Sequence, residues 1–368
     1  MKNSLLLLLL GWVGVAPLGA AEARTATVAI LINGDSAHVS HYLPAVADSP
    51  ETSAVVLADP SGRTVALARR VLGAKLVATY ASAAELFAHH HADLTVISLE
   101  PRLAAPAIDA ALDAGSNVLA EKPACLSTAE FDRLAAKAER KHLLLMLALA
   151  NRINGDVVFA RQFIQAQKLG TIYGVEAHMI ADQTRLTKAD YHQSWFAQKA
   201  RAGGGHLIWL GIHWIDLVTY LTDSAVTDVS AFTANVGGQP LDVEDSAALT
   251  LKFNRGFLGT LTSGYYLDKS YDSHIKIWGA KGWIELNPYG GGPQIRYYTT
   301  TDAHPEIKIL PGSTEPAGYT PWVAVCVRAA LGLEPPPITT EESRRAIATV
   351  YAAYRAAATG KTQHLAER

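Results

Sequence analysis

A chain of 368 residues, 49% hydrophobic and 18% charged, holds enough apolar material for a large core and favours two domains over one. Its 32 Lys and Arg stand against 34 Asp and Glu, with no block of like charge and no basic stripe. That balance argues against nucleic acid and membrane surfaces as partners.

The first residues, MKNSLLLLLLGWVGVAPLGAAEA, run from Lys2 through a short apolar stretch to small residues around Gly19, Ala20 and Ala21. This is the layout of a secretory signal peptide over residues 1–23, too short and too close to the start for a transmembrane anchor. The expectation is an exported protein, periplasmic or extracellular after cleavage. The lack of twin arginines implies export as an unfolded chain, before any cofactor is loaded.

Strand-length apolar runs then alternate with helix-period segments. TVAILI, SAVVLA, KLVATY, LTVISL, NVLAE and LLLMLAL are separated by stretches such as GRTVALARRVLGA and LAAPAIDAALDAG. Continuous apolar strands between helices predict a parallel sheet covered on both faces. Ligands of such sheets sit at the carboxyl ends of the strands. After the first strand come Asn33, Gly34, Asp35, Ser36, Ala37 and His38. A dinucleotide loop needs glycines there so that backbone amides approach a pyrophosphate at a helix N-terminus. Asn33, Asp35 and His38 fill those places, and Asp35 sets a carboxylate beside the phosphates. Asp59, after the second strand, suits a ribose hydroxyl or simply forms a turn before Pro60. Glu100 follows the fourth strand. The fifth ends in AEKPACLSTAE, which sets Glu121 and Lys122 at the mouth of the sheet and Ser127 with Glu130 as a helix-capping box.

From about Asn151 the pattern changes. GTIYGVEAHMIAD alternates, so Glu176, His178, Ile180 and Asp182 share one face of a strand. Gly203, Gly204 and Gly205 precede the apolar helix HLIWLGIHWIDLVTYL, where His206 and His213 lie two turns apart on one face. If His178 converges with them, three imidazoles and a carboxylate such as Glu176 or Asp182 make a metal site with an open position. The plainer alternative leaves His206 flanking the helix start and His178 bonded within the sheet. Trp195 with Tyr191 and His192, and Trp209 with Trp214, suit stacking on sugar rings or core packing. SAALTLKFNRGFLGTLTSGYYL, HIKIWGAKGWIEL and IRYYTT read as antiparallel strands, and a capped amphipathic helix closes the chain over 339–359. Cys125 and Cys326 could pair in an oxidising compartment; two small buried core residues is the preferred reading.

The AEKP of residues 120–123, with NRINGDVVFARQFIQAQKLGTIYGVEA and GGGHLIWLGIHWIDLVTYL, resembles the Gfo/Idh/MocA oxidoreductase family over essentially all of the mature chain. The resemblance implies an α/β fold: a Rossmann-like parallel sheet over 24–148, then over 149–368 an α/β domain with an open, mostly antiparallel sheet that often mediates oligomers. It implies NAD(P)-dependent oxidation of a sugar or polyol. Lys122 of Glu121-Lys122-Pro123 would be the catalytic lysine and His213 the catalytic histidine. Three departures stand against that. The acid one helical turn before His213 is Trp209, the loop glycines are Asn33, Asp35 and His38, and only Pro101 matches the family pattern after the fourth strand.

These departures set the working expectation of an enzyme that has given up NAD(P). It would perform lyase, aldolase or hydrolase chemistry on a sugar-like or keto-acid substrate. Lys122, His213 and Glu121 would be catalytic, and a divalent metal, zinc or manganese, would sit on His178, His206 and His213. An NAD(P)-dependent sugar or polyol dehydrogenase is the alternative, and a non-catalytic carbohydrate-binding protein a second. Neither nucleic acid nor membrane is expected as a partner; a homo-oligomer through the C-terminal sheet is.

Overall fold

Six strands of the first half are those expected: β1 (Ala26–Ile32), β2 (Thr52–Ala58), β3 (Leu76–Tyr80), β4 (Leu94–Ser98), β5 (Asn117–Ala120) and β6 (Leu145–Leu147). The computed structural model describes residues 24–289 and 294–366. The signal peptide expected over residues 1–23 lies outside the described residues. The six strands pair in parallel in the order β3-β2-β1-β4-β5-β6. Central strands such as β4 are buried at every position. They carry no polar alternation because α1 (Val39–Asp48), α2 (Val65–Leu72), α3 (Ala83–His89), α4 (Pro101–Asp113) and α5 (Thr128–Arg140) cover the sheet. The strand order reverses between β1 and β4, which opens a crevice at their carboxyl ends.

After α6 (Gly155–Gln165), the long β7 (Ile172–Asp182) begins a second sheet. The short helices α7 (Ala189–Gln193) and α8 (Lys199–Ala202) precede α9 (Ile212–Thr222). The remaining strands are β8 (Val226–Ala234), β9 (Ser246–Phe253), β10 (Leu258–Leu267), β11 (Tyr271–Gly279), β12 (Gly282–Leu286), β13 (Ile295–Thr299), β14 (Lys308–Leu310) and β15 (Gln363–His364). They assemble as β14-β13-β12-β11-β7-β10-β9-β8-β15. The β7–β10 pair is parallel and the other pairs are antiparallel. Val175, Ala177 and Met179 of β7 are buried in the core, while Glu176 and His178 between them point to the other face. This is the fold the sequence led us to expect.

α10 (Tyr319–Ala330) packs on α1, and α11 (Thr340–Thr359) closes the chain. The N-cap of α11 is Thr339, with Glu342 completing a capping box. Thr340 Oγ1 and Ser343 Oγ accept the Leu145 and Leu147 N–H groups, so the first turn of α11 covers the free edge of β6. Behind this turn, Arg152 is buried in a fork on Asp216 of α9 and bonds Glu342 at 2.7 Å. Cys125 and Cys326 are both buried and free. Among the described residues no helix is long and apolar enough to cross a membrane.

Candidate active site

Glu121 and Lys122 follow β5 at the carboxyl end of the parallel sheet, where the Lys122–Pro123 bond is cis. Both side chains are only 2% exposed, and Lys122 Nζ lies 3.6 Å from Glu121 Oε1. Lys122 donates to the Trp209 carbonyl at 2.7 Å, with its ammonium 3.4 Å from the centre of the Trp209 ring. Burial disfavours the ammonium more than Glu121 favours it, and Arg185 adds to the push, so Lys122 is brought down to about 8. Glu121 goes the other way. Burial would raise its carboxyl, but the charges of His38 and Lys122 and hydrogen bonds from His38 and Tyr42 hold it at about 2. Its Oε2 accepts from Tyr42 at 2.7 Å and from Tyr319 at 3.2 Å, and lies 3.1 Å from His38 Nδ1. Glu121 is thus a fixed anion beside a lysine that can exchange a proton near neutral pH.

The loop after β1 is organised by charge. Asp35 pairs with Arg63 at 2.6 Å, and the Arg63 guanidinium lies across Gly34, where a side chain would collide with it. Asp59 is buried at the end of β2. It accepts from Ser61 and Thr64 through both their N–H and hydroxyl groups, which holds the turn that carries Arg63. His38, in the last loop position, adopts φ 56°, the left-handed region that glycine enters freely. It is the N-cap of α1 and makes no side-chain cap bond. Its ring instead turns towards Glu121, with the Tyr319 hydroxyl 2.7 Å from Nδ1, and stacks over Trp209 at 5.9 Å. Glu100, also buried, is held by Arg102 and by Arg201 of α8, which ties the two sheets' domains together across the crevice. Trp195 closes the other side by donating to the Asp35 carbonyl at 3.0 Å.

The three histidines expected to hold a metal do not meet. A π-helical turn, Leu207–Gly211, intervenes between His206 and His213. The extra residue it fits into the turn rotates the helix face by roughly 100°, one residue's worth of rotation. His206 therefore points to β10, with Nδ1 2.6 Å from Ser263 Oγ and its ring edge-on to Tyr265. His213 faces the Lys122 side. Burial, with nearby cations adding, brings both down to about 3, so both are neutral. His178 is on the opposite face of the sheet, stacked on His274 at 5.1 Å and 3.5 Å from Asp272. Among the described residues no group of three or more His, Cys, Asp or Glu side chains is placed to hold a metal ion. The zinc or manganese expectation on His178, His206 and His213 is corrected accordingly.

Beside Trp209 a cleft of about 430 Å³ opens, lined by Ala37, His38, Arg185, Tyr191, Phe196 and Trp209 among others. Trp195, Phe196 and Trp209 pack edge-on and stacked against one another at its wall, whereas Trp214 is core, donating to the His274 carbonyl. A cavity of similar size, about 440 Å³, between α5, α9 and α11 holds none of these groups. Tyr42, Tyr319, Arg185 and the positioning role of His38 were not found from sequence. Tyr319 is 198 positions from Glu121 and carries no local pattern that announces the contact.

Residues 28–149 match the model of the oxidoreductase family with an NAD-binding Rossmann fold, and residues 157–285 match the GFO/IDH/MocA C-terminal domain. The chain is 31% identical over 254 residues to the proposed oxidoreductase subunit of UDP-kanosamine synthase from Amycolatopsis mediterranei, covering 64% of this chain and 67% of that one. The chain belongs to the Gfo/Idh/MocA family. The match spans about three fifths to two thirds of the length of the first curated relatives. Among solved structures, GenD2 from gentamicin A biosynthesis in complex with NAD superposes with a TM-score of 0.78 at 23% identity, covering 96% of this chain and all of that one. Levoglucosan dehydrogenase with NADH and L-sorbose gives 0.81 at 18% identity, covering 94% and 100%.

These findings overturn the reading of a Gfo/Idh/MocA protein turned cofactor-free lyase, aldolase or hydrolase. The part of the chain expected to have lost NAD(P) is the part that matches the NAD-binding family model. The structure supplies the physical reason. Of the departures held against a dinucleotide, the Asp35 carboxylate is neutralised by Arg63. The backbone at His38 keeps a glycine-like conformation, and the first turn of α1 has no side-chain cap to compete with an anion. Arg63, the turn held by Asp59 and the N-terminus of α1 are the groups that fit a dinucleotide here.

Proposed function

We propose that this Gfo/Idh/MocA protein is a nicotinamide-dependent oxidoreductase that oxidises a hydroxyl, or reduces the matching carbonyl, of a sugar-type substrate. The observation that carries the reading is Lys122, buried beside a fixed Glu121 anion and brought down to about 8, at the crevice of a matched NAD-binding domain. Relatives point to the same substrate class: one is a myo-inositol 2-dehydrogenase, and one structural neighbour was solved with NADH and levoglucosan. Export of the protein, expected from residues 1–23, is part of the proposal.

A bound nicotinamide supplies the hydride acceptor or donor. Lys122 handles the proton at Nζ: when neutral it takes the hydroxyl proton of the substrate, and as an ammonium it returns it to the carbonyl oxygen. Glu121 keeps the ammonium form within reach of neutral pH and stays ionised throughout. His213 remains neutral beside Lys122, so it can hold a substrate oxygen by a hydrogen bond without competing for the proton. Trp209, Phe196 and Trp195 keep water from the lysine and offer an aromatic wall to a sugar ring. Because Lys122 is 2% exposed, the Trp209 side chain must move before substrate reaches Nζ.

The test is titration of the mature protein with NADH and NADPH by fluorescence, followed by a sugar and polyol panel read by nicotinamide absorbance. Binding and turnover, with turnover but not binding lost in Lys122→Met, are expected. Absence of binding and turnover with either nucleotide overturns the reading.

A further inference from the structure

Arg185 sits on the short turn Thr184–Thr187 directly after β7 and lines the same cleft as His38 and Trp209. Its guanidinium carbon is 5.3 Å from the centre of the Tyr265 ring, and Tyr271 and Tyr191 flank it. Tyr265 and Tyr191 are pushed up by burial, so neither phenol supplies a negative charge. Among the described residues no carboxylate lies within ion-pair distance of Arg185.

The acids around it bond nearby N–H and hydroxyl groups and do not pair with it. Asp182 feels the charges of Arg185 and Lys188, but its carboxylate accepts the Thr184 N–H at 2.6 Å. Asp190, at the rim, accepts its neighbour's Tyr191 N–H. Glu244 is taken up by the Gly205 and Leu207 N–H groups and the Tyr354 hydroxyl. Elsewhere, enclosed arginines have their acids: Arg152 has Asp216, and Arg201 has Glu100. Arg185 is thus a half-buried cation with no carboxylate in ion-pair contact, and Lys188 and Asp190 line the cleft wall beside it. Its charge reaches Lys122 and His206 and disfavours protonation of both. A partly desolvated, uncompensated charge is unfavourable unless an anion arrives to meet it.

We infer that the cleft takes a substrate carrying an anionic group, a sugar acid or a sugar phosphate, whose oxyanion sits on Arg185 while the reacting hydroxyl faces Lys122. The planar guanidinium fork matches carboxylate or phosphate oxygens in pairs, and the flanking tyrosines offer further hydroxyl donors. This rests on the proposed sugar chemistry of the same site. It adds that the neutral sugar is the poorer ligand.

The experiment is isothermal titration of the mature protein, alone and saturated with NADH. The probes are matched pairs: D-glucuronate against D-glucose, D-gluconate against D-glucitol, and D-glucose 6-phosphate against D-glucose. At least one acidic member should bind about tenfold or more tightly than its neutral partner, weakening with salt. The carboxylate and phosphate arms separate the two sources of oxyanion. Arg185→Gln should erase the preference without lowering the melting temperature, and Arg185→Lys should keep part of it. Equal binding within every pair, no binding of any acidic member, or a preference that survives Arg185→Gln overturns the inference. Heat reads binding rather than turnover, so an acid preference without hydride transfer upholds this inference and overturns the proposed function alone.

Discussion

The Lys122 ammonium rests on the face of the Trp209 ring, 3.4 Å from its centre, while donating to the carbonyl of the same residue. Trp209 stands where the family resemblance places an acid. A ring stabilises an ammonium through its quadrupole, and raises the lysine less than the full negative charge of an acid in that place would. Trp209→Ala is expected to destabilise the fold by about 3–5 kcal/mol through lost packing. It should also raise the rate at which Lys122 is acylated, read by peptide mass spectrometry, whereas Trp209→Phe should preserve most protection. An unchanged labelling rate in the alanine variant would mean the ring does not shield the lysine.

The Lys122 equilibrium has a signature in stability. Between about 8 in the folded chain and its ordinary 10.5, the unfolded chain holds a proton that the folded chain has released. Stability therefore rises with pH across that window, by up to on the order of 3 kcal/mol, while below it the full penalty of a buried ammonium is present. Urea denaturation of wild type and Lys122→Met at a series of pH values should show this rise in the difference between them. A flat difference would place the lysine's proton equilibrium outside that window.

Arg63 neutralises Asp35 over the loop that follows β1. Arg63→Glu puts two acids there, and dinucleotide affinity should fall by roughly ten- to a hundredfold, most strongly at low salt. Asp35→Asn in the same background should recover part of it. NADH fluorescence titration reads both; identical affinities in all forms would remove Arg63 and Asp35 from the binding surface.

Arg152 joins α9 and α11 through Asp216 and Glu342 in a buried fork. Arg152→Met leaves Asp216 buried without its cation and should destabilise by about 3–5 kcal/mol, while adding Asp216→Leu should restore much of this. Paired denaturation curves decide it, and simple additivity of the two losses would contradict a coupled pair.

The parallel sheet was legible because β1, β4, β5 and β6 are continuous apolar runs of strand length, and such runs are read without tertiary knowledge. Glu121 and Lys122 were legible because they directly follow one of those runs. The histidine cluster was misread for a local reason: a helical wheel assumes 3.6 residues per turn, and the π-helical turn at Leu207–Gly211 breaks that count. The loop after β1 was misread for a non-local one, since the partner of Asp35 lies 28 positions on, in the turn after β2. Charge counted one residue at a time made Asp35 an obstacle; paired with Arg63, it is not.

Six of the cleft's lining residues, Arg185, Lys188, Asp190, Tyr191, Ser194 and Phe196, belong to one excursion between β7 and α8. Neither sheet depends on that excursion for its strand pairing. Under the proposed function the excursion holds ligand preference as a detachable module: exchanging residues 183–198 between relatives should transplant preference while Lys122, Glu121 and His213 stay in place. Diversification within such a lineage can proceed by rewriting sixteen or so consecutive codons rather than by coordinated change across two domains.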